Sequence, residues 1–183
     1  MGQLDSTFRF DIRYATTNNF VGLQLYPCPR CILRSEVAAA VVEVQTKLRD
    51  MGLSLKFYDC YRPQSIQYEL WQKMPDARYV TPPDRGSMHN RGGAVDLTII
   101  DEHGDELDMG TPYDFFGQEA YHTFTGHSPT VQYNRDLLKS LMEAVGFKHI
   151  RTEWWHYSYQ NTMYPLSDYH WPCPDSQRAW PVE

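Results

Sequence analysis

The run Ala94-Val95-Asp96-Leu97-Thr98-Ile99-Ile100-Asp101, followed by Glu102-His103-Gly104-Asp105, decides the fold. Val95, Leu97 and Ile99 fall on one side of a period-two pattern, and Ala94, Asp96 and Thr98 on the other, which is the alternation of a strand. Glu102 to Asp105 read as a hairpin turn, with a return strand over 106–109. One residue is out of keeping. A carboxylate at 96, inside an apolar strand, is costly to bury unless a cation or a metal answers it.

Working outward, residues 35–51 read as a helix. Ser35 can cap it, Val37, Val41, Val44 and Leu48 recur at helical spacing, and Gly52 ends it. Leu53, Leu55 and Phe57 alternate with Ser54, Lys56 and Tyr58, giving a half-buried strand. Pro63 suits the first turn of a helix running through Ile66, Leu70 and Met74. Residues 75–93 form a long loop rich in Pro, Gly, Asp and Arg, and long loops in compact domains are often functional. Past the hairpin, 110–132 is irregular. A helix over 134–145 has Asn134 as cap and Gly146 as stop, and Phe147 to Trp155 read as one strand. The tail from 160 is polar, aromatic and proline-rich, and is expected to wrap the surface. These elements predict a single α+β domain over 1–183, with a core at about 8–159 and helices on one face of a mainly antiparallel sheet.

The composition agrees with a globular domain: 183 residues, 42% hydrophobic. Aromatics reach 14%, with 13 Tyr and 5 Trp, enough to line clefts with rings as well as to fill a core. A net charge of -6 and the lack of a basic stretch argue against nucleic acid and anionic membrane as partners. No apolar run approaches the ~18 residues of a membrane span, and the opening MGQLDSTFRFDIR has no apolar leader segment. Cys28-Pro29-Arg30-Cys31 is read as a short disulfide, with a redox pair and half of a zinc site as the sharper alternatives. A disulfide favours an oxidising compartment, periplasmic or secreted as a mature form without its leader; without one, the cytoplasm is the alternative.

Two segments carry chemistry. In Ser87-Met88-His89-Asn90-Arg91-Gly92-Gly93-Ala94-Val95-Asp96, the glycines let the chain turn sharply, so that His89 folds back beside Asp96. In Glu153-Trp154-Trp155-His156, a carboxylate and an imidazole lie three apart, and in a regular strand they would face opposite ways. A bulge or a strand end must bring both to one site. Metal-assisted hydrolysis needs this pairing: His89, Asp96 and His156 as three ligands leave a position for water, and Glu153 remains free as base. The competing readings are an Asp96–arginine pair, a Glu153–Arg151 salt bridge and a satisfied buried His156.

SMHNRGGAVDLT over 87–98 and EWWHY over 153–157 together resemble the D-alanyl-D-alanine dipeptidase family, the VanX-like zinc peptidases of family M15. RYATTNNFVG over 13–22, DCYRP over 59–63 and DMGTPYDFF over 108–116 are also similar to that family. The resemblance implies one Zn²⁺ per chain on His89, Asp96 and His156, and Glu153 as catalytic base. It implies Arg62 as the cation facing the charged oxygen of the transition state. It implies Asp114 as the acid that receives the substrate ammonium, Ser87 near the substrate carboxylate, and Tyr14 in the pocket wall. The implied substrate is a small D,D-dipeptide, in peptidoglycan precursor turnover or glycopeptide resistance. The segment between Arg62 and His89 looks shorter than in the resistance enzymes. The rivals are a related DD-carboxypeptidase or other peptidoglycan peptidase, for which an ammonium pocket at Asp114 has no use, and a zinc-binding module without catalysis, for which Glu153 and Arg62 have none.

Overall fold

A computed structural model describes residues 1–2, 4–159 and 163–174. Among these residues, three helices, α1 (Ser35–Arg49), α2 (Gln64–Lys73) and α3 (Pro129–Ala144), accompany five strands. The strands are β1 (Arg9–Phe10), β2 (Ser54–Asp59), β3 (Ala94–Ile100), β4 (Phe147–Ile150) and β5 (Glu153–Tyr159). They form one sheet in the order β1-β2-β3-β5-β4. Every pairing is antiparallel except the two-residue edge strand β1, which runs parallel to β2. Helices α1 and α3 touch each other and pack against β2 and β4, so they share a layer. The fold is the α+β domain that the alternation in β3 predicts. No described helix is long and apolar enough to cross a membrane.

Strand β3 is buried along its whole length. Val95, Leu97 and Ile99 join the hydrophobic core, while Asp96, on the opposite face, is buried beside a cleft lined by loop residues and by Gln67 and Leu70 of α2. Cross-strand neighbours share a face, and Asp96 has Asp59 opposite it on β2 and His156 opposite it on β5. The sheet therefore gathers a row of three polar side chains.

Several boundaries differ from the sequence expectation. Arg34, in extended backbone, occupies the N-cap of α1, and Ser35 is its first helical residue. Pro63 likewise sits at the N-cap of α2. The return strand after the hairpin shrinks to one bridge between Ile100 and Glu106. Helix α3 starts at Pro129, with the Ser128 hydroxyl accepting from Val131 N–H; a serine cap followed by proline is a helix start. Asn134 donates instead to the Asp108 carbonyl. The strand expected over 147–155 is a hairpin, because the chain reverses at Arg151 and Thr152.

The cysteines also pair otherwise than expected. Cys28 bonds Cys173 and Cys31 bonds Cys60. All four thiols are consumed in these two long-range bonds, so neither Cys28 nor Cys31 is left to pair with the other, to cycle as a dithiol or to bind zinc. The Cys28–Cys31 bond and the redox pair are therefore both excluded.

Residues 163–174 lie across the molecule as a strap. The Tyr164 carbonyl accepts from Arg91, and Ser167 N–H donates to the Asn90 carbonyl. Asp168 accepts from both the N–H and the hydroxyl of Ser65, capping α2 from 103 residues away. Trp171 is buried against Tyr26 and Tyr61, next to the Cys28–Cys173 bond. The rest of the tail, 160–162 and 175–183, lies outside the described residues. Replacing Cys28 and Cys173 together by serine is expected to cost about 2 to 5 kcal/mol, or roughly 5 to 15 °C in Tm. Calorimetry of the double variant checks this, and an unchanged melting temperature would show that the strap does not need its link.

Candidate metal centre and active site

The sequence element that builds the site is the turn before β3. His89 lies in a short 3-10 turn, His89–Arg91, which Gly92 closes with φ 67, the left-handed conformation that glycine adopts without strain. The chain thus folds back and sets the His89 ring beside Asp96. Asp96 Oδ1 lies 3.2 Å from His89 Nε2 and 3.0 Å from His156 Nδ1, and the two ring nitrogens are 3.1 Å apart.

The outer atoms decide what these three inner atoms are. His89 Nδ1 donates to the Cys60 carbonyl at 2.6 Å, leaving Nε2 as the lone-pair nitrogen of the neutral ring. His156 Nε2 meets the Ser158 hydroxyl at 2.9 Å, leaving Nδ1 inward. With both rings neutral and the Ser158 hydroxyl accepting from His156 Nε2, two lone pairs and a carboxylate converge, all of them acceptors and all buried. A cation resolves that convergence. Zinc bonds of about 2.0 to 2.2 Å in a tetrahedron hold donor atoms roughly 3.3 to 3.5 Å apart, a spacing these three already approach. The donor set fits a borderline divalent metal.

A cleft of about 270 Å³ opens beside this group. All eight residues singled out from the sequence line it: Tyr14, Arg62, Ser87, His89, Asp96, Asp114, Glu153 and His156. Glu153 and His156 reach one cavity because the β4–β5 register jumps. His149 faces Tyr157 but Ile150 faces Glu153, so the irregularity falls between the two site residues. Neither the Asp96–arginine pair nor the Glu153–Arg151 bridge is present among the described residues.

Arg62 is fixed from two sides. Asp59 accepts from its Nε at 3.0 Å and its Nη2 at 2.7 Å, and Gln67 accepts from Nη1 at 2.9 Å. Burial works against the guanidinium charge, yet Asp59 outweighs it and holds Arg62 as a cation. The Arg62 guanidinium also stacks 5.0 Å over the Tyr14 ring, whose hydroxyl donates to Asp114 at 3.3 Å. Asp114 has φ 59, a left-handed backbone that aspartate tolerates better than most residues. The Ser87 hydroxyl accepts from His89 N–H, so its own proton remains to donate.

The balance of charge is uneven. Burial pushes the Glu153 carboxyl well above its ordinary range, and the carboxylates of Asp96 and Asp114 push it further. Burial raises Asp114 as well, again with help from Asp96. Among the described residues, neither Glu153 nor Asp114 has a salt-bridge partner. The cavity calls for positive charge at two places, the His–Asp–His group and Asp114.

The family model described as D-ala-D-ala dipeptidase, Peptidase_M15, matches residues 2–173. The chain belongs to that family. A D-alanyl-D-alanine dipeptidase of Escherichia coli (strain K12) is 40% identical over 85% of this chain and 81% of its own length. Another, of Enterococcus faecalis (strain ATCC 700802 / V583), is 32% identical over 86% of this chain and 88% of its own. Among solved structures, a vancomycin resistance D,D-pentapeptidase, VanY, in complex with Zn(II), overlaps 70% of this chain and 73% of that one. Its TM-score is 0.45 and its identity 16%.

Around this cleft stand residues that the motifs did not single out. Asp59 and Gln67 hold Arg62, Tyr113 donates to Asp96, and Ser158 meets His156. Two signals were available. Asp59 lies in the same DCYRP stretch as Arg62, and Ser158 is two residues past His156 on one strand, hence on its face. Phe20, Tyr79 and Phe116 crowd together over the cleft, with ring centroids 5.0 and 4.7 Å apart, and only the fold brings them there.

Proposed function

We propose that this chain is a zinc peptidase that hydrolyses D-alanyl-D-alanine and similar small D,D-dipeptides, in peptidoglycan precursor turnover or glycopeptide resistance. One observation carries the reading: a His–Asp–His donor set, a fixed guanidinium at Arg62, and carboxyl groups at Glu153 and Asp114 that have no ion-pair partner among the described residues all line one small cleft. His89, Asp96 and His156 would hold the metal. Zinc there would polarise the peptide carbonyl and lower the pKa of water toward ~7.

The protein's own groups do the rest. Glu153 takes the proton of the attacking water and passes it to the leaving amine. Arg62 faces the developing oxyanion, and its clamp on Asp59 means that it needs no reorganisation at that moment. Asp114, supported by Tyr14, receives the substrate ammonium, and Ser87 donates to the terminal carboxylate. The two disulfides support a periplasmic or secreted setting.

Hydrolysis of D-Ala-D-Ala is expected, with L-Ala-L-Ala poor and N-acetyl-D-Ala-D-Ala at least ~100-fold lower in kcat/KM, because a site built around a charged group rejects a ligand that lacks it. Chelator should abolish activity and zinc restore it. A preference for a D-Ala-D-Ala-ended pentapeptide would overturn the Asp114 assignment and indicate a carboxypeptidase. Zinc binding without hydrolysis would indicate a binding module.

A further inference from the structure

The two oxygens of Asp96 serve different partners. Oδ1 faces both imidazoles, whereas Oδ2 accepts the Tyr113 hydroxyl at 3.1 Å. Tyr113 is 8% exposed and set firmly in place. Its ring lies 4.7 Å from that of Tyr58 and 5.3 Å from that of Trp155, with the Arg13 guanidinium 5.9 Å above it. None of these ring contacts involves a metal ligand, so the packing of the ring aims the hydroxyl at Asp96, with the Tyr14 hydroxyl beside it.

The geometry points to Tyr113 as a positioning residue that keeps Asp96 a one-oxygen ligand. A carboxylate with both oxygens free can chelate a metal with both and fill the place that hydrolysis needs for water, whereas a catalytic zinc keeps that place open. The hydrogen bond from Tyr113 engages Oδ2 and fixes the plane of the carboxylate, so that Oδ1 alone meets the His89–His156 pair. Partners of this kind orient a ligand and tune its affinity. Tyr113 also directly precedes Asp114. One stretch of loop thus orients both the metal's carboxylate ligand and the acid for the substrate amine. The inference rests on the reading of His89, Asp96 and His156 as the metal site.

The test compares wild type with Tyr113→Phe, each stripped of metal and reloaded with zinc or cobalt(II). Competition with a chromophoric chelator is expected to show zinc held about 10- to 100-fold more weakly by the variant. The cobalt form should lose visible absorption intensity as its coordination number rises. kcat should fall more than KM changes, and the melting temperature of the metal-free protein should stay close to wild type. Unchanged zinc affinity with an unchanged cobalt spectrum would make Tyr113 a space-filling residue and overturn the inference. A crystal structure of zinc-loaded wild type needs no variant: Oδ2 still on Tyr113 supports the inference, and both oxygens on zinc overturn it. Failure of the wild type itself to bind zinc would instead overturn the metal-site reading beneath it.

Discussion

Glu153→Gln is expected to lower kcat about 10³-fold or more, near the upper part of what one proton-transferring group contributes, while zinc stoichiometry stays at one per chain. The amide keeps the size and shape of the carboxyl but cannot take a proton from water. The three side chains proposed to hold zinc lie elsewhere, on the 3-10 turn, on β3 and three residues further along β5, so their arrangement does not depend on the Glu153 charge. Stability should hold or rise. In the wild type a carboxyl is placed where burial and two neighbouring carboxylates disfavour its charge, and removing such a group gives back the strain that activity required. Steady-state kinetics, metal analysis and thermal melting of one preparation decide the matter. Activity within tenfold of wild type would remove Glu153 from the mechanism. Lost activity together with lost zinc would make it a ligand rather than a base.

Arg62→Ala should fail twice. Asp59 is fully buried, and its Oδ2 has the guanidinium as partner through two hydrogen bonds. Removing one member of such a pair leaves an uncompensated charge and costs about 3 to 5 kcal/mol. Loss of a preorganised group at the oxyanion costs a further ~10²- to 10³-fold in kcat. Arg62→Lys should recover part of the stability and little of the rate, because an ammonium cannot bridge Asp59 with two donors and also reach Gln67. Urea unfolding separates the first effect from the second. A stable but inactive Arg62→Ala would leave the catalytic role standing and refute the structural one, and a destabilised variant with normal kcat would do the reverse.

The legible parts of this molecule were those where a residue conflicts with its surroundings. Asp96 stands in an apolar strand, and Glu153 and His156 lie three apart where a strand would separate them; each conflict marked the site, and the sheet register resolves both. The strand β3 and the helix α1 were legible because their periodicity is strong. The start of α3 was hidden because Ser128-Pro129 follows an irregular run, and the reversal at Arg151-Thr152 because neither residue is a turn former of the glycine or proline kind. Cysteine pairing was beyond reach, since four cysteines allow three connectivities and the correct one depends on where the strap lies. Tyr113 stands beside Asp114 in the sequence, but its role appears only when β3 is laid against it.

The strap also bears on the order in which the molecule forms. Its cap on α2 joins residues 103 apart, and the Cys28–Cys173 bond joins residues 145 apart. Contacts so distant along the chain require loop closure before they give anything in return, and they slow folding. The turn that carries His89 leans on this strap through Asn90 and Arg91. The sheet can assemble from its neighbouring strands, but the loop that presents His89 is completed only when the far end of the chain arrives. Once oxidised, the Cys28–Cys173 link makes that arrival local, and a chain that unfolds with the bond intact starts its return with the slowest search already done.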